Sequence, residues 1–546
     1  MKSWTSLLAV GIAVCIGCGG TDENTVANAG GTQPSNDAGL PDASPDVAGP
    51  AADASEAGSS DGAITAPLTL EQLRDPEACK PCHPQAYKEW SGSMHAYASD
   101  DPVFRAFNAR GQRDVKLGGF CLQCHAVLAY RLGLTTDGSN LDEIPQKYKG
   151  IGCYFCHTVD AVTGDNTNPL HLAEDGVMRG QLENPAPTVA HTSMYSTTID
   201  RDQLQSSLMC GACHDIDTGV HGPGDLKTAY LERVYQEWKG SVFSHAPGGA
   251  SCSQCHMTQS STDVPGATGV ANVPMRRLHS HTFPAVDLAL TDQFPEKPEQ
   301  RREVQQLLDT TLQSALCVKG TGPSAVIQLV LDNVGAGHAW PSGAALVRRG
   351  WVELKAFGDD GQIFYQTGVV PDGTPVMSLT GDPDLWLMRD CVFDGNVGQD
   401  PLNEVKMPWA PKSMESTVLP AQLTFDRNNP DFYKSHVYRS FPNKTGASLG
   451  RMPARVELRI RMEGFGLDII DDLIRTGDLD QSLRAKMPVF VLGHEPVLAW
   501  TASSAKELFL DRDGAPVSCI SRTNLLGGAN KVPAPRGEHC RPGGGG

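Results

Sequence analysis

Ten of the 16 cysteines in the sequence belong to one repeated arrangement with histidine. Five segments read Cys-x-x-Cys-His: Cys79/Cys82/His83, Cys121/Cys124/His125, Cys153/Cys156/His157, Cys210/Cys213/His214 and Cys252/Cys255/His256. At this spacing two thiols can form thioethers to one haem, and the histidine that follows can bind the iron. Structural zinc does not require a histidine after every second cysteine, and a disulfide scaffold leaves the histidines unexplained. We therefore predict five covalently bound haem c groups, with these five histidines as proximal iron ligands.

A sixth ligand determines whether each iron is a relay or a reaction site. Eight further histidines are candidate distal ligands: His95, His171, His191, His221, His245, His279, His281 and His338. These are enough to give all five irons two histidines. The sequence before His95, Tyr-x-Glu-Trp-x-Gly-Ser in residues 87–93, recurs in residues 235–241. Phe243 takes the place of His95 in the second copy, and His245 follows two residues later, which makes ligation by His245 doubtful.

Composition divides the chain into six predicted segments. They are a lipoprotein signal peptide (1–18), a disordered Ala/Gly/Asp/Pro tether (19–67), a pentahaem cytochrome c domain (68–290), a connecting helix (291–322), a β-sandwich domain with a helical insert (323–540) and a disordered tail (541–546). The tether has too few large apolar residues to fold. The predicted fold class is multidomain: a haem-packed, mostly α-helical and irregular multihaem cytochrome c domain, followed by an antiparallel β-sandwich domain.

Two kinds of periodicity support the connecting helix and the β-sandwich domain with its helical insert. Apolar residues recur at helical spacing over residues 296–318, which predicts the connecting helix. Apolar and polar residues then alternate in four segments, 326–331, 351–356, 363–365 and 455–462, with Gly/Asp turns between strands. Such alternation is typical of antiparallel sheets. Residues 467–487 return to a helical pattern and are predicted to form the insert.

The N-terminus carries an export signal. A short apolar run over residues 7–14 follows Lys2, and it is too short to span a bilayer. Residues 16–19 resemble a lipoprotein cleavage site, which predicts lipidation of Cys18; Cys15 is the weaker choice because Val14 is bulkier than Gly17. Simple secretion is the alternative. We expect an exported periplasmic or cell-surface lipoprotein, with the outer membrane favoured, and no transmembrane helix.

Charge narrows the range of partners. The formal net charge is -18 and the pI is about 5.3, so nucleic acid is excluded as an expected partner. An acidic surface can steer a basic redox partner, although it can equally serve only solubility. The expected partners are redox proteins, either other cytochromes or a quinol-oxidising complex, together with the membrane through the lipid anchor.

Four cysteines remain outside the haem motifs and the signal: Cys317, Cys391, Cys519 and Cys540. An even number in an exported protein predicts two disulfides, for which three pairings exist. Proximity in sequence favours Cys519 with Cys540, which leaves Cys317 with Cys391. The alternative is that some are buried free thiols.

Four stretches carry a resemblance to a known family. They are residues 79–83 followed by Tyr87, Trp90, Ser93 and His95; residues 252–257; residues 279–284; and residues 333–343. Here the chain resembles the multihaem cytochrome c superfamily that includes the tetrahaem electron carrier of nitrifying bacteria, hydroxylamine oxidoreductase and octahaem tetrathionate reductase. The resemblance covers about residues 68 to 345. It implies that His95, one of His279 and His281, and His338 are distal ligands. If His338 ligates, a metal bond docks the β-domain onto the haem domain; the alternative is a turn histidine that is only hydrogen-bonded.

Two functions are compatible with these features. The first is electron transfer by a five-haem cytochrome at a bacterial membrane surface, with mostly bis-histidine haems. The second is an oxidoreductase, a reductase or oxidase of a small nitrogen or sulfur compound, which needs one iron with an open position. The sequence contains no Cys-x-x-Cys-Lys variant and has abundant histidine. Electron transfer is therefore favoured, and no catalytic residue is assigned.

Overall fold

The structure is a computed structural model. It describes residues 64–164, 167–217, 230–292, 294–395, 403–407, 409, 411–493, 497–505, 507–510, 516–521 and 532–542. The predicted signal peptide, Cys18, nearly all of the tether, His221 and residues 543–546 of the tail lie outside these residues. No helix within them is both long and apolar enough to cross a bilayer.

Short helices separated by irregular segments make up most of the region that carries the Cys-x-x-Cys-His motifs. The helices of the described residues are α1 (Leu70–Leu73), α2 (Pro84–Ser91), α3 (Met94–Tyr97), α4 (Pro102–Val115), α5 (Leu122–His125), α6 (Val127–Arg131), α7 (Cys153–His157), α8 (Ser207–Gly211), α9 (Val234–Lys239), α10 (Cys252–His256), α11 (Lys297–Thr311) and α12 (Leu467–Arg475). Four two-stranded sheets accompany them: β1 (Val159–Val162) with β2 (Leu170–Leu172), β3 (Val177–Gly180) with β4 (Thr192–Tyr195), β5 (Ile216–Asp217) with β6 (Tyr230–Glu232), and β7 (Val264–Pro265) with β8 (Met275–Arg276). This agrees with the predicted mostly α-helical and irregular region.

Helix α4 joins the motif-bearing region to the C-terminal region. Asp101 caps its N-terminus by accepting hydrogen bonds from the N–H groups of Val103 and Phe104, and Pro102 occupies the first turn, where its missing N–H costs nothing. Val103 shares a buried apolar cluster with residues of α12. Arg110 forms an ion pair of 2.5 Å with Asp472 of α12. Apolar packing and charge pairing therefore both hold the two regions together.

The connecting helix is shorter than the periodicity suggested. Helix α11 ends at Thr311, and the next strand, β9 (Leu312–Lys319), occupies residues that we predicted to be helical. The prediction of helix over residues 312–318 is therefore wrong. Leu316 and Val318 are buried in the main apolar cluster, and β9 pairs along its whole length with β10 (Val326–Asn333). Burial between neighbouring strands outweighs the local helical spacing.

The C-terminal region consists mainly of antiparallel sheets, as the alternating segments predicted. Its further strands are β11 (Arg349–Phe357), β12 (Ile363–Thr367), β13 (Leu387–Met388), β14 (Asp390–Phe393), β15 (Glu404–Val405), β16 (Ser413–Ser416), β17 (His436–Phe441), β18 (Arg455–Glu463), β19 (Val489–Val491), β20 (Leu498–Thr501), β21 (Glu507–Leu510), β22 (Pro516–Ser521) and β23 (Val532–Pro533). One sheet has the order β21-β22-β9-β10-β17-β23, with only β17 and β23 parallel. Another has the order β12-β11-β18-β19, with β13 on β11 and β20 on β18. Strands β14 to β16 form a third sheet.

One apolar cluster receives side chains from both large sheets. Ile327 and Leu329 of β10 and Leu354 of β11 are fully buried in it, together with Leu458 of β18 and Trp500 of β20. Two sheets that bury their apolar faces together form the core expected of a sandwich. The cluster supports the predicted sandwich arrangement, which stays a prediction. Helix α12 lies in the first part of the segment predicted as the helical insert.

The disulfides correct the pairing that sequence proximity favoured. Cys317 is bonded to Cys519, and Cys391 is bonded to Cys540. Strands β9 and β22 are neighbours, and Cys317 lies directly opposite Cys519 in their register. Strand pairing therefore brings together two cysteines that are 202 residues apart in sequence.

Candidate functional site

Each Cys-x-x-Cys-His motif folds into a helical turn. The third motif coincides with α7 and the fifth with α10. In the other three, the histidine N–H donates to the carbonyl of the first cysteine, at 2.8 Å for His83, 3.1 Å for His125 and 3.0 Å for His214. Residues three and four apart share one face of a helical turn. This puts both thiols and the imidazole on the same side, which is the donor set that covalent haem attachment requires.

The motifs contact one another through their cysteines. Three pairs of cysteine side chains from different motifs lie next to each other: Cys79 with Cys153, Cys124 with Cys213, and Cys210 with Cys252. The first motif therefore lies beside the third, the second beside the fourth, and the fourth beside the fifth. These contacts form two groups, the first motif with the third and the second motif with the fourth and fifth, and Cys156 of the third motif interacts electrostatically with Cys210 and Cys213 of the fourth.

Cys82 differs from Cys79, the other cysteine of the first motif, in its contacts. Like the other nine motif cysteines it takes no part in a disulfide, and it is partly buried. Its N–H donates to the carbonyl of Cys79 at 3.2 Å, and its own carbonyl accepts the N–H of Thr268 at 2.7 Å. Among the described residues, the thiol of Cys82 has no hydrogen bond to another motif. The structure therefore brings Cys79, but not Cys82, together with a second motif, and haem attachment at Cys82 stays a prediction from the spacing of its own motif.

Four motif histidines each face a second histidine. The ring centroids are 6.4 Å apart for His83 and His191, 6.3 Å for His214 and His95, 6.4 Å for His157 and His281, and 6.5 Å for His256 and His338. Imidazole nitrogens bind first-row metals at about 2 Å, so two imidazoles on opposite sides of one metal have centroids roughly 6 Å apart. The residues present therefore fit iron with two axial histidines.

Hydrogen bonds orient most of these imidazoles. The Nδ1 atoms of His83, His157 and His256 lie 3.1, 2.6 and 2.8 Å from the backbone carbonyl oxygens of Gly266, Arg179 and Pro284. An Nδ1–H that donates to a carbonyl leaves Nε2 as the metal-binding nitrogen. His281 and His338 make the same kind of contact, with the carbonyls of His279 and Ala339.

Burial also keeps the distal candidates neutral. It lowers the pKa of His95 to about 3 and the pKa values of His281 and His338 to about 4. A histidine must be deprotonated at the coordinating nitrogen to bind a metal. These three imidazoles are therefore in the form that can act as ligands at neutral pH.

His214 differs from the other motif histidines because it faces a carboxylate. Its Nδ1 lies 3.6 Å from Oε2 of Glu232, at the end of β6, and the Glu232 side chain is only 18% exposed. Although burial opposes it, the contact with Glu232 raises the pKa of His214 to about 9, so a metal that binds at Nε2 would displace a proton from this imidazole. His214 in turn keeps the pKa of Glu232 below its usual range despite burial. The carboxylate of Glu232 therefore places a negative charge next to Nδ1 of His214.

His125 is the exception among the motif histidines. Its closest ring partner is Phe104 of α4, whose ring lies parallel to the imidazole with centroids 4.2 Å apart. A ring stacked on the imidazole face lies to the side of the direction in which Nε2 binds a metal. Among the described residues, no histidine ring is in contact with that of His125.

The remaining distal candidates have different environments. His171 is exposed and lies 2.6 Å from Asp160, and His245 is exposed with no ring contact to another histidine in the described parts of the chain. Burial lowers the pKa of His279 to about 4, and its carbonyl accepts the Nδ1–H of His281. His221 lies outside the described residues. Of the predicted pair at 279 and 281, the structure brings only His281 opposite a motif histidine.

Sequence reasoning missed three glutamates at this site. Besides Glu232, Glu89 accepts the backbone N–H of His281 at 2.9 Å, and Glu237 accepts that of Ala339 at 3.2 Å. The available signal was the repeated Tyr-x-Glu-Trp sequence, which contains both Glu89 and Glu237. The sequence also offered no reason to prefer His191 over the other candidate distal ligands, because no motif surrounds it.

Comparison with known proteins gives a family match and a similar solved structure. Residues 78–158, which include the first three motifs, match the family model described as cytochrome c554 and c-prime. A penta-haem cytochrome c552 from Thermochromatium tepidum has 18% sequence identity and a TM-score of 0.49, and the alignment covers 79% of this chain and 99% of that one. No curated protein matches. The family match and the motifs identify a chain similar to multihaem c-type cytochromes, with covalently bound haem c, which is consistent with electron transfer.

Proposed function

We propose that this protein transfers electrons through five haem c groups, at least four of which have two histidine ligands. The observation that carries this proposal is the set of four histidine pairs at 6.3–6.5 Å, each of which contains one motif histidine. An iron with two histidine ligands has no position for a substrate, so it can only accept and donate electrons.

Contacts between the motifs support a relay rather than isolated cofactors. The side chains of Cys79 and Cys153 lie next to each other, as do those of Cys210 and Cys252. Cofactors attached to neighbouring motifs lie within a short distance, and electron transfer requires such proximity. The fourth motif contacts both the second and the fifth, so it is the intermediate link between them in the proposed relay.

Mass spectrometry and redox titration of the holoprotein test the relay. The mature chain should exceed the polypeptide mass by five haems, and all five should be reduced and reoxidised reversibly in a potentiometric titration followed by visible absorption. A mass increment below five haems would contradict the assigned cofactor number. Haems that cannot be reoxidised would contradict a relay.

The same proposal includes an anchor at Cys18 and a basic redox partner. The net charge of -18 supports electrostatic steering of such a partner, and the N-terminal sequence supports lipidation. A Cys18→Ala variant should move from the membrane fraction to the soluble fraction. Membrane association that is unchanged in this variant would rule out the anchor.

His125 supports a second candidate function, an oxidoreductase of a small nitrogen or sulfur compound. Four motif histidines have a histidine opposite them, whereas His125 has none among the described residues and stacks on Phe104. An iron held by His125 alone would leave one position for an exogenous ligand. Titration of the reduced holoprotein with carbon monoxide should then give one binding equivalent per chain. Binding of none would restrict the protein to electron transfer.

A further inference from the structure

The repeated Tyr-x-Glu-Trp segments make matched contacts in two places. We call residues 87–93 the first brace and residues 235–241 the second brace. In the first brace, the indole N–H of Trp90 donates to the carbonyl of Ile151 at 2.7 Å. In the second, Trp238 donates to the carbonyl of Ala250 at 2.8 Å. Ile151 and Ala250 each lie two residues before the first cysteine of a haem motif, the third and the fifth respectively.

A second contact fixes the same two positions. The N–H of Ile151 donates to the carbonyl of His95 at 2.9 Å, and the N–H of Ala250 donates to the carbonyl of Phe243 at 2.8 Å. His95 and Phe243 occupy equivalent positions after the two braces. The residue two positions before each motif is therefore held at both its N–H and its carbonyl, and the repeat in sequence is also a repeat in structure.

The glutamate of each brace reaches the opposite side of the same ligand pair. Oε2 of Glu89 accepts the N–H of His281, which faces His157 of the third motif. Oε2 of Glu237 accepts the N–H of Ala339 and, at 2.5 Å, the hydroxyl of Ser342. Ala339 directly follows His338, which faces His256 of the fifth motif.

We propose that Glu89 and Glu237 are positioning residues that hold His281 and His338 at ligating distance, while the adjacent tryptophans hold the corresponding haem-attachment segments. This rests on the proposed bis-histidine function. Each brace spans from the attachment side to the distal side, so it fixes the separation of the two ligands through adjacent side chains of one short helix. Preorganised partners outside the ligand shell orient metal ligands in this way.

The location of the braces in the chain gives them a further role. The first brace begins four residues after His83 of the first motif, yet it serves the ligand pair of the third motif. The N–H of Tyr235 in the second brace donates to the carbonyl of His214 in the fourth motif, yet that brace serves the fifth. Each brace therefore mechanically links two neighbouring motifs.

Spin-quantified EPR of the oxidised, full-length holoprotein tests the proposal. His281→Ala and His338→Ala should each remove one low-spin haem. Glu237→Ala should reduce the low-spin signal of the same haem that His338→Ala affects. The Glu237→Ala/His338→Ala double variant should therefore have no fewer low-spin haems than His338→Ala alone. The Glu237→Ala/His281→Ala double variant should instead lose two low-spin haems. Glu89→Ala should affect the same haem as His281→Ala and should be additive with His338→Ala. Each glutamate variant is therefore the matched control for the other.

Conservative variants separate positioning from charge and from folding. Glu237→Gln keeps an acceptor oxygen for the Ala339 N–H, so it should retain the low-spin haem that Glu237→Ala loses. If Glu237→Ala does not mature, Trp238→Phe removes only the indole donor and should shift the same haem towards high spin. The proposal is overturned if the low-spin count is unchanged in Glu237→Ala or in Trp238→Phe, or if glutamine fails to rescue it. If neither histidine variant loses a low-spin haem, it is the ligand assignment of the proposed function that fails.

Discussion

Glu232 should lower the reduction potential of the haem held by His214. Its carboxylate lies 3.6 Å from Nδ1 of His214, whereas the Nδ1 atoms of His83, His157 and His256 face backbone carbonyls. A fixed negative charge stabilises the oxidised, more positive state of the iron. Glu232→Gln removes this charge and retains the shape of the side chain, so the potential of one haem should rise.

The size of the rise follows from the distance. Crossing the ring to a metal at Nε2 gives a charge separation of roughly 7 Å, which corresponds to about 2 kcal/mol at an effective dielectric constant near 20. For a one-electron couple, about 1.4 kcal/mol corresponds to 59 mV. The expected rise is therefore roughly 50–100 mV, since Arg348 also acts electrostatically on Glu232 and offsets part of its charge.

Potentiometric titration followed by EPR measures this rise. One low-spin component should shift upward, and that component should be the one lost in a His95→Ala variant. Asp359→Asn, which neutralises an exposed carboxylate in the turn between β11 and β12, is the control and should leave all components in place because exposed charges are screened. The reasoning is refuted if every component of Glu232→Gln keeps its wild-type potential, or if one shifts downward.

Three further predictions concern ligation and stability. His95→Ala should lose one low-spin haem while all five remain covalently attached, and unchanged EPR intensity would exclude His95 as a ligand. Burial, despite backbone hydrogen bonds that oppose it, raises the pKa of Asp101 to about 7, so the folded state binds a proton that the unfolded state releases from about pH 4 upward. The free energy of unfolding of the wild type should therefore fall by roughly 3 kcal/mol relative to that of Asp101→Asn between pH 4 and pH 8. If urea unfolding gives the same difference between the two proteins at both pH values, this prediction is wrong. Arg349 is fully buried and makes two hydrogen bonds with Asp468, so Arg349→Met should cost about 3–5 kcal/mol in urea unfolding, and a loss below about 1 kcal/mol would show that Asp468 is compensated by other groups.

Local patterns predicted the features that depend on neighbouring residues. The five attachment motifs could be predicted because the two thiols and the imidazole of each motif lie within five consecutive residues. Alternation likewise predicted the strands at 326–331 and 455–462, which lie within β10 and β18. Helix α11 was predicted too long because residues 312–318 have helical spacing, while their burial depends on strands elsewhere in the chain.

Features that depend on contacts between residues far apart in sequence could not be predicted. His83 faces His191 more than a hundred residues away, and no local motif marks His191. The register of β9 and β22 decides the pairing of Cys317 with Cys519, and that register is a property of the assembled sheet. The repeated Tyr-x-Glu-Trp sequence was visible, but the hydrogen bonds of Glu89 and Glu237 link segments that only the fold brings together.

Integration of the EPR spectrum of the fully oxidised holoprotein tests the central claim most directly. The four histidine pairs found among the described residues predict low-spin, bis-histidine signals that account for at least four haems per chain. Low-spin intensity that corresponds to three haems or fewer would contradict the assigned ligand pairs.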